Sequence, residues 1–237
     1  MATRLRAVVF DVGNTLAHLD YEWLSVLVRR HGAPAAVDAD AVGREDALLR
    51  RYGWEPEGYF TALAGRLGLS GAPAASAARE AMQGHRQRPG GLWDQVDPDA
   101  DAVLEDLQRA GFVLGVVSNA DGRVEAQLRR FGLRGRFGVV VDSQCAGVSK
   151  PDPRIFAQAL QALRVEPAEA LYVGDVVDID VRGAEAAGMT AVLYDRFDAW
   201  AGTGLARIRR LADLRELPAV KAAAVRCAPP DPPPVPG

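Results

Sequence analysis

Cysteine is scarce in this sequence, and so are long hydrophobic runs. Only Cys145 and Cys227 occur among the 237 residues, too few for a disulfide framework or a cysteine-based zinc cluster, which favours a reducing compartment. No apolar run approaches the roughly 18 residues needed for a membrane-spanning helix. The N-terminal residues also lack the apolar segment of a secretory signal peptide. We therefore expect a cytoplasmic protein with no membrane association.

The sequence also lacks a strong excess of charge of either sign. It contains 28 basic and 31 acidic residues, for a formal net charge of −3. Nucleic-acid-binding proteins normally carry a clear basic excess, so we expect no nucleic acid partner. The hydrophobic share of 49% and the charged share of 25% are typical of a soluble globular protein. Composition leaves the oligomeric state open.

Short apolar runs alternate with stretches of helical periodicity through most of the chain. Near-continuous apolar runs are typical of strands in a parallel sheet that is covered on both faces. One helix is predicted to begin after Asp152, a good N-cap, because Pro153 suits the first helical position. The alternation favours a doubly wound α/β fold. The predicted strands are residues 5–10, 112–117, 138–141, 170–173 and 190–193.

A long interval after the first strand departs from this alternation. Residues 17–94 show helical stripes and no convincing strand, which predicts an α-helical insertion. The remainder, residues 1–16 and 95–220, forms the predicted α/β core. Residues 228–237 are dominated by proline and are predicted to be a disordered tail.

Polar and charged residues follow the predicted strands at their carboxyl ends, where open α/β sheets bind ligands. Asp11 follows the first strand, Ser118 the second, Lys150 lies in the loop after the third, and Asp175 and Asp180 follow the fourth. Clustered carboxylates repel one another and need a cation between them, and oxygen ligands suit Mg²⁺. We expect a magnesium site here, with Ser118 and Lys150 binding an anion that the metal also contacts.

The order of these segments resembles the haloacid dehalogenase (HAD) superfamily of hydrolases. The resemblance covers about residues 5–215 and implies a Rossmann-like core with a helical cap of the first cap class, residues 17–94. Each motif alone is weak, whereas the ordered set is specific. The matching segments are Asp11 with Thr15 and Leu16, then Ser118-Asn119, Lys150-Pro151, Gly174-Asp175, Asp180, Gly183-Ala184 and Ala187-Gly188-Met189.

The resemblance also implies a metal site and a nucleophile. Asp11 would attack a small phosphorylated substrate and become an aspartyl-phosphate. Mg²⁺ would be held by Asp11, by the main-chain carbonyl of Gly13 and by Asp175. Asp180 would bind the metal through water or position Lys150.

Further roles follow for the anion-binding side of the site. Thr15 and Ser118 would hydrogen-bond the transferring group, and Asn119 would offer its backbone N–H. Lys150 would neutralise the negative charge of Asp11 and of the phosphoryl oxygens. The expected activity is that of a magnesium-dependent phosphatase.

Gly13 departs from the pattern of the family. HAD phosphatases usually carry a second aspartate there, which acts as general acid and base. The loss of such a group costs on the order of 10²- to 10⁴-fold in rate. His18, at the junction with the helical insertion, is a candidate substitute that would also contact the substrate, and Asp20 is a weaker one.

Gly13 keeps two alternatives open. The chain could be a catalytically impaired member that binds a phosphorylated ligand or a protein. It could also be a 2-haloacid dehalogenase, because those enzymes lack the second aspartate too. Against this, they lack the metal-binding fourth motif, which is present here. They also need a halide site with aromatic walls and an arginine from the cap. Candidates for that halide site are Arg29, Arg30, Tyr52, Trp54 and Trp93.

Overall fold

The computed structural model describes residues 4–52 and 58–224. Its larger sheet has six strands, all parallel, and the predicted doubly wound α/β fold is confirmed. The strands are β1 (Ala7–Phe10), β2 (Ala17–Leu19), β3 (Trp93–Val96), β4 (Val113–Ser118), β5 (Val139–Asp142), β6 (Ala170–Gly174), β7 (Thr190–Tyr194) and β8 (Arg207–Ile208). Their order in the larger sheet is β5-β4-β1-β6-β7-β8.

Helices cover both faces of the sheet. On one face α5, α6 and α10 share a hydrophobic core with β1 and β4; on the other, α8 and α9 share a second core with β6 and β7. Asp152 accepts a hydrogen bond from the Arg154 backbone and caps α8, as predicted, with Pro153 at its start. The helices are α1 (Tyr21–Arg30), α2 (Ala39–Tyr52), α3 (Tyr59–Arg66), α4 (Gly71–Gln87), α5 (Ala100–Arg109), α6 (Val124–Arg130), α7 (Ser143–Ala146), α8 (Pro153–Leu163), α9 (Arg182–Ala186) and α10 (Pro218–Ala224).

The interval after β1 is mainly helical, and α1 to α4 pack around a core of their own. The prediction that it contains no strand is wrong, because β2 and β3 form a small antiparallel sheet at its two ends. These strands are short, and β3 carries Asp94 and Gln95, so neither shows the apolar pattern of a buried strand. The boundaries of the predicted cap, residues 17–94, stay a prediction.

The predicted proline-rich tail, residues 228–237, falls outside the described residues, and so do two of the halide-site candidates, Trp54 and the side chain of Tyr52. Within residues 4–52 and 58–224, no helix combines the length and the apolar character that crossing a bilayer requires.

Candidate active site

The candidate site lies where three adjacent strands end. β1 lies between β4 and β6 in the sheet. Ser118 is the last residue of β4, while Asp11 and Asp175 directly follow β1 and β6, so the three lie at the ends of neighbouring strands. The Asp11 backbone N–H continues the ladder and donates to the Val173 carbonyl at 2.9 Å. All three side chains are buried. Parallel pairing thus brings together residues that are far apart in the sequence.

Lys150 is the central cation of the site. Its Nζ donates to Asp11 Oδ1 at 2.8 Å, to Asp180 Oδ1 at 2.6 Å and to the Tyr172 hydroxyl at 2.9 Å. The side chain is 2% exposed. Burial alone would lower the pKa of Lys150, but the charges of Asp11 and Asp180 outweigh burial and raise it. Lys150 therefore stays protonated and holds the two carboxylates.

Asn119 positions Lys150 through its side chain. Its Nδ2 donates to the Lys150 carbonyl at 3.0 Å, and its Oδ1 accepts from the Lys150 backbone N–H at 2.8 Å. The resemblance led us to expect a backbone N–H role for Asn119, which stays a prediction. The side-chain contact adds a positioning role that the sequence did not indicate.

Asp180 is fixed by the turn that follows β6. Its Oδ2 accepts from the backbone N–H of Asp175 at 3.0 Å and of Val176 at 2.9 Å. Gly174 makes this approach possible, since a Cβ at Gly174 would lie 2.5 Å from Asp180 Cγ. The glycine of this motif is therefore required by the close passage of a carboxylate.

We expect Gly174→Ala to destabilise the protein and to disturb Lys150. The added methyl group overlaps Asp180, and overpacking of this kind costs about 1–3 kcal/mol. Urea denaturation measures the loss. Gly65→Ala in α3 is the matched control, because a Cβ there meets nothing within 4 Å, and alanine is the better helix former. Equal stability of the two variants would contradict the steric argument.

The Lys150 contacts also predict that arginine cannot replace this lysine. The three acceptors surround a compact ammonium group at 2.6–2.9 Å, whereas a guanidinium is larger and planar. We expect Lys150→Arg to lose most activity and to lower the melting temperature. Lys221 offers the control, since it is 55% exposed and pairs with Glu216 at the surface. If Lys150→Arg kept the same activity and melting temperature as Lys221→Arg, the three contacts of Lys150 would contribute nothing to activity or stability.

Three carboxylates converge beside Lys150. One oxygen each of Asp11, Asp175 and Asp180 lies within 4.8 Å of the other two, and all three residues are buried. Burial raises the pKa of Asp11, while Lys150 opposes the rise; burial also raises the pKa of Asp175. Asp175 Oδ2 is buried and accepts no well-aligned hydrogen bond from the residues that the structure describes. A hard cation with oxygen ligands, such as Mg²⁺, fits this arrangement.

Two hydroxyl groups lie at the same end of the sheet. Ser118 faces Asp11, and its hydroxyl lowers the pKa of Asp11 against the larger effect of burial. Thr15 Oγ1 is buried and has no hydrogen-bond partner among the described residues. Unsatisfied buried hydroxyls are costly; the role of Thr15 in binding the transferring group stays a prediction.

Gly13 leaves no acidic group at its position. A Cβ there would lie 3.5 Å from Cδ1 and from Nε1 of Trp93, on β3. This is ordinary van der Waals distance, so a small side chain fits against the indole. The glycine therefore reflects no steric requirement as strict as the one at Gly174.

His18 lies on β2 and is already engaged. Its Nε2 lies 2.7 Å from Asp97 Oδ2, an oxygen that also accepts from the Tyr194 hydroxyl at 2.6 Å. The side chain is 4% exposed, and burial lowers the pKa of His18. His18 lines the same small cavity as Asp175. Its role as a substitute acid–base stays a prediction, and any proton would have to move through the ring nitrogen that faces away from Asp97.

The structure adds a residue that the sequence did not indicate. Arg50, on α2, lies 3.1 Å from Asp175 Oδ2 and 3.0 Å from Asp46 Oδ2. The Asp46–Arg50 spacing of four residues is a recognisable helical pair. Its proximity to Asp175, however, depends on how the group of helices α1 to α4 lies relative to the sheet.

The arginines and aromatic residues proposed for a halide site are not shown to form one cluster among the described residues. Arg29 donates to the Val37 carbonyl and Arg30 pairs with Glu80, so both have partners within the helical layer. Trp93 lies beside Gly13. Trp54 and the side chain of Tyr52 lie outside the described residues.

Comparison with known proteins supports a single family. A family model described as haloacid dehalogenase-like hydrolase matches residues 5–188. The chain is 34% identical over 202 residues to a glyceraldehyde 3-phosphate phosphatase from Methanopyrus kandleri, covering 81% of this chain and 84% of that protein. Other relatives match over a shorter segment: 99 residues are 46% identical to haloacid dehalogenase-like hydrolase domain-containing protein 3 from Bos taurus, only 39% of its length.

Solved structures agree with the sequence matches. A HAD phosphatase from Thermococcus onnurineus superposes with a TM-score of 0.58 at 30% identity, covering 90% of this chain and 97% of that one. A 2-haloacid dehalogenase from Pseudomonas syringae pv. Tomato superposes with a TM-score of 0.55 at 26% identity, covering 92% and 98%. The neighbours thus include two kinds of hydrolase.

Proposed function

Because the chain belongs to the haloacid dehalogenase-like hydrolases, we propose that it is a magnesium-dependent phosphatase that acts on a small phosphorylated metabolite. The observation that carries the proposal is Lys150, whose ammonium group joins Asp11 to Asp180 beside Asp175. This arrangement of a buried lysine and three converging carboxylates supports a nucleophilic role for Asp11 and a metal site beside it.

In the proposed reaction Asp11 is the nucleophile. Its carboxylate oxygen attacks phosphorus, and the bond to the leaving oxygen breaks with its electron pair. Lys150 opposes the effect of burial on the Asp11 pKa and so favours the ionised nucleophile, and it neutralises charge on the phosphoryl oxygens. The hydroxyls of Ser118 and Thr15 donate to the transferring group. Water then cleaves the aspartyl-phosphate and releases phosphate.

The charges around Asp175 favour a divalent cation. Among the described residues, Lys150 and Arg50 pair with Asp11, Asp46, Asp175 and Asp180, so carboxylates outnumber the cations that pair with them. Bound Mg²⁺ would supply charge neutralisation for the phosphoryl oxygens. Its proposed ligands are Asp11, the main-chain carbonyl of Gly13, Asp175 and, through water, Asp180.

Gly13 determines how well each half of the reaction proceeds. With no carboxyl group at this position, neither the leaving oxygen nor the attacking water has an adjacent acid–base group there. We infer that formation of the aspartyl-phosphate is efficient for good leaving groups and that its hydrolysis is slow. His18 is the proposed substitute, acting from the cavity that it shares with Asp175.

Hydrolysis of 4-nitrophenyl phosphate tests this proposal. We expect turnover with Mg²⁺ and none with EDTA, because metal removal leaves repelling carboxylates around Asp11. Background rates under both conditions would contradict the phosphatase and leave the impaired binding protein as the better account. The M. kandleri relative, by its name, acts on a phosphorylated triose, which supports a small phosphorylated metabolite as substrate.

A second candidate function is that of a 2-haloacid dehalogenase. Gly13 favours it, and so does Arg50, an arginine from a helix outside the sheet that lies beside the site. The cluster of Asp175 and Asp180 favours the phosphatase instead, because dehalogenation of a haloacid requires no metal ion and gives such a cluster no role. Chloride release from 2-chloropropionate in the presence of EDTA would establish the dehalogenase.

A further inference from the structure

Asn14 has an unusual backbone conformation in the turn that follows β1. Its φ is +54°, in the left-handed region that asparagine tolerates better than most residues. Asn14 is 7% exposed, so its amide lies inside the protein. Glycine would adopt the same conformation at no steric cost. What asparagine adds at this position is therefore the side-chain amide.

The amide of Asn14 joins the turn to the helical layer. The single hydrogen of the Tyr21 hydroxyl is donated to Asp46 at 2.9 Å. The Tyr21 oxygen lies 3.3 Å from the Asn14 amide and therefore accepts from its Nδ2. With the amide assigned in this way, Asn14 Oδ1 accepts from the Trp93 indole N–H at 3.2 Å and also from Arg50. The turn is thus tied both to α1 and to β3.

The backbone of the turn leaves one carbonyl unused. The Val12 carbonyl accepts from three backbone N–H groups at 2.9–3.2 Å, and the Asn14 N–H donates to the Ala17 carbonyl at 2.6 Å. The Gly13 carbonyl accepts no backbone hydrogen bond from the described residues. This oxygen is the proposed main-chain ligand of the metal, and no backbone donor competes for it.

The direction of the Gly13 carbonyl depends on Asn14. The Gly13 C=O and the Asn14 N–H belong to one rigid peptide plane, whose orientation is set by ψ of Gly13 and φ of Asn14. Gly13 has no Cβ and restricts its own ψ little. Asn14 is therefore the residue that fixes this plane, and its contacts with Tyr21 and Trp93 fix Asn14.

We propose that Asn14 is a positioning residue that uses its contacts with Tyr21 and Trp93 to hold the Gly13 carbonyl in place for the metal. This proposal rests on the magnesium-dependent function proposed above. Asn14 acts through the peptide that it shares with Gly13 and not as a ligand itself. The affinity for Mg²⁺ then depends on a hydroxyl of α1, that of Tyr21, which is not among the proposed ligands.

Calorimetric titration with Mg²⁺ in the absence of substrate tests the proposal. Asn14→Gly keeps the left-handed backbone accessible and removes only the amide. We expect the Kd for Mg²⁺ to rise by ~10- to 100-fold, the range found when a residue that orients a metal ligand is replaced. Circular dichroism confirms that the variant is folded. An unchanged Kd in Asn14→Gly would overturn the proposal.

Two tyrosine variants separate positioning from general damage to the helical layer. Tyr21→Phe should weaken Mg²⁺ binding in the wild-type background but cause no further loss in Asn14→Gly, because both changes break the same contact. Tyr59→Phe is the matched control, since the Tyr59 hydroxyl also donates to Asp46 but not to Asn14; we expect its Kd to stay within about twofold. Additive losses, or an equal loss in Tyr59→Phe, would contradict the proposal.

Failure of the inference is distinct from failure of the function. If wild type binds Mg²⁺ and hydrolyses 4-nitrophenyl phosphate but Asn14→Gly binds Mg²⁺ equally well, the function stands and the inference is wrong. If wild type neither binds Mg²⁺ nor hydrolyses the ester, both are wrong. The indole N–H resonance of Trp93, assigned with Trp93→Phe, tests the contact without metal. It should shift in Asn14→Gly, and an unchanged position would contradict the hydrogen bond that anchors Asn14.

Discussion

Replacing Asp11 by asparagine is expected to reduce metal-dependent hydrolysis of 4-nitrophenyl phosphate by at least ~10³-fold, the scale seen when a covalent nucleophile is removed. The asparagine amide is nearly the same size as the carboxylate, so packing is kept. It cannot attack phosphorus as an anion, and it gives Lys150 a weaker acceptor than the present contact at 2.8 Å. The initial rate at saturating Mg²⁺ measures the loss.

Asp178→Asn is the matched control for this substitution. Asp178 follows the same strand as Asp175, but its side chain is 71% exposed and pairs with Arg182 on the surface. Its replacement should leave the rate within about twofold, since exposed ion pairs contribute little. Substantial activity of Asp11→Asn would mean that another group is the nucleophile and that the proposed roles are wrong.

Placing aspartate at position 13 is expected to raise turnover. Gly13→Asp supplies the acid–base group that the site lacks, and such a group contributes on the order of 10²- to 10⁴-fold. The Cβ fits, because it would lie 3.5 Å from the Trp93 ring. The gain should be largest for alkyl phosphates, whose leaving oxygen most needs a proton. Steady-state kcat for 4-nitrophenyl and alkyl phosphates measures it.

Gly13→Ala separates chemistry from packing. It adds the same Cβ against Trp93 without a carboxyl group, so we expect no gain. If Gly13→Ala also raised kcat, the gain in Gly13→Asp would come from a more rigid loop and not from the carboxyl group. If Gly13→Asp leaves kcat unchanged while the protein remains folded, the rate is limited elsewhere, and His18 becomes the stronger candidate for the acid–base group.

The sheet was predictable because its strands are buried on both faces. The segment of β1 has no polar residue between Ala7 and Phe10, and its four residues are all buried. β2 and β3 were missed because they are short and contain polar residues: β2 has three residues with His18 at its centre, and β3 carries Asp94 and Gln95. β8 has only two residues, too few for a pattern.

The candidate site was predictable where it depends on strand ends. Asp11 and Asp175 follow adjacent parallel strands, so their approach is a consequence of topology. The role of Asn119 in holding the Lys150 backbone depends on the path of a loop. The contact of Arg50 with Asp175 depends on how the group of helices α1 to α4 lies relative to the sheet. Local sequence patterns carry no signal for either of these long-range contacts.

The proposed aspartyl-phosphate on Asp11 is the most direct target for measurement. The protein is mixed with 4-nitrophenyl phosphate and Mg²⁺, quenched in acid, and examined by intact-protein and peptide mass spectrometry. Because hydrolysis is expected to be slow without an acid–base group at Gly13, one phosphoryl group per chain should accumulate on the peptide containing Asp11, after a burst of 4-nitrophenolate. Nitrophenolate release with the phosphoryl group on another residue, or release that persists without metal, would contradict the proposed mechanism.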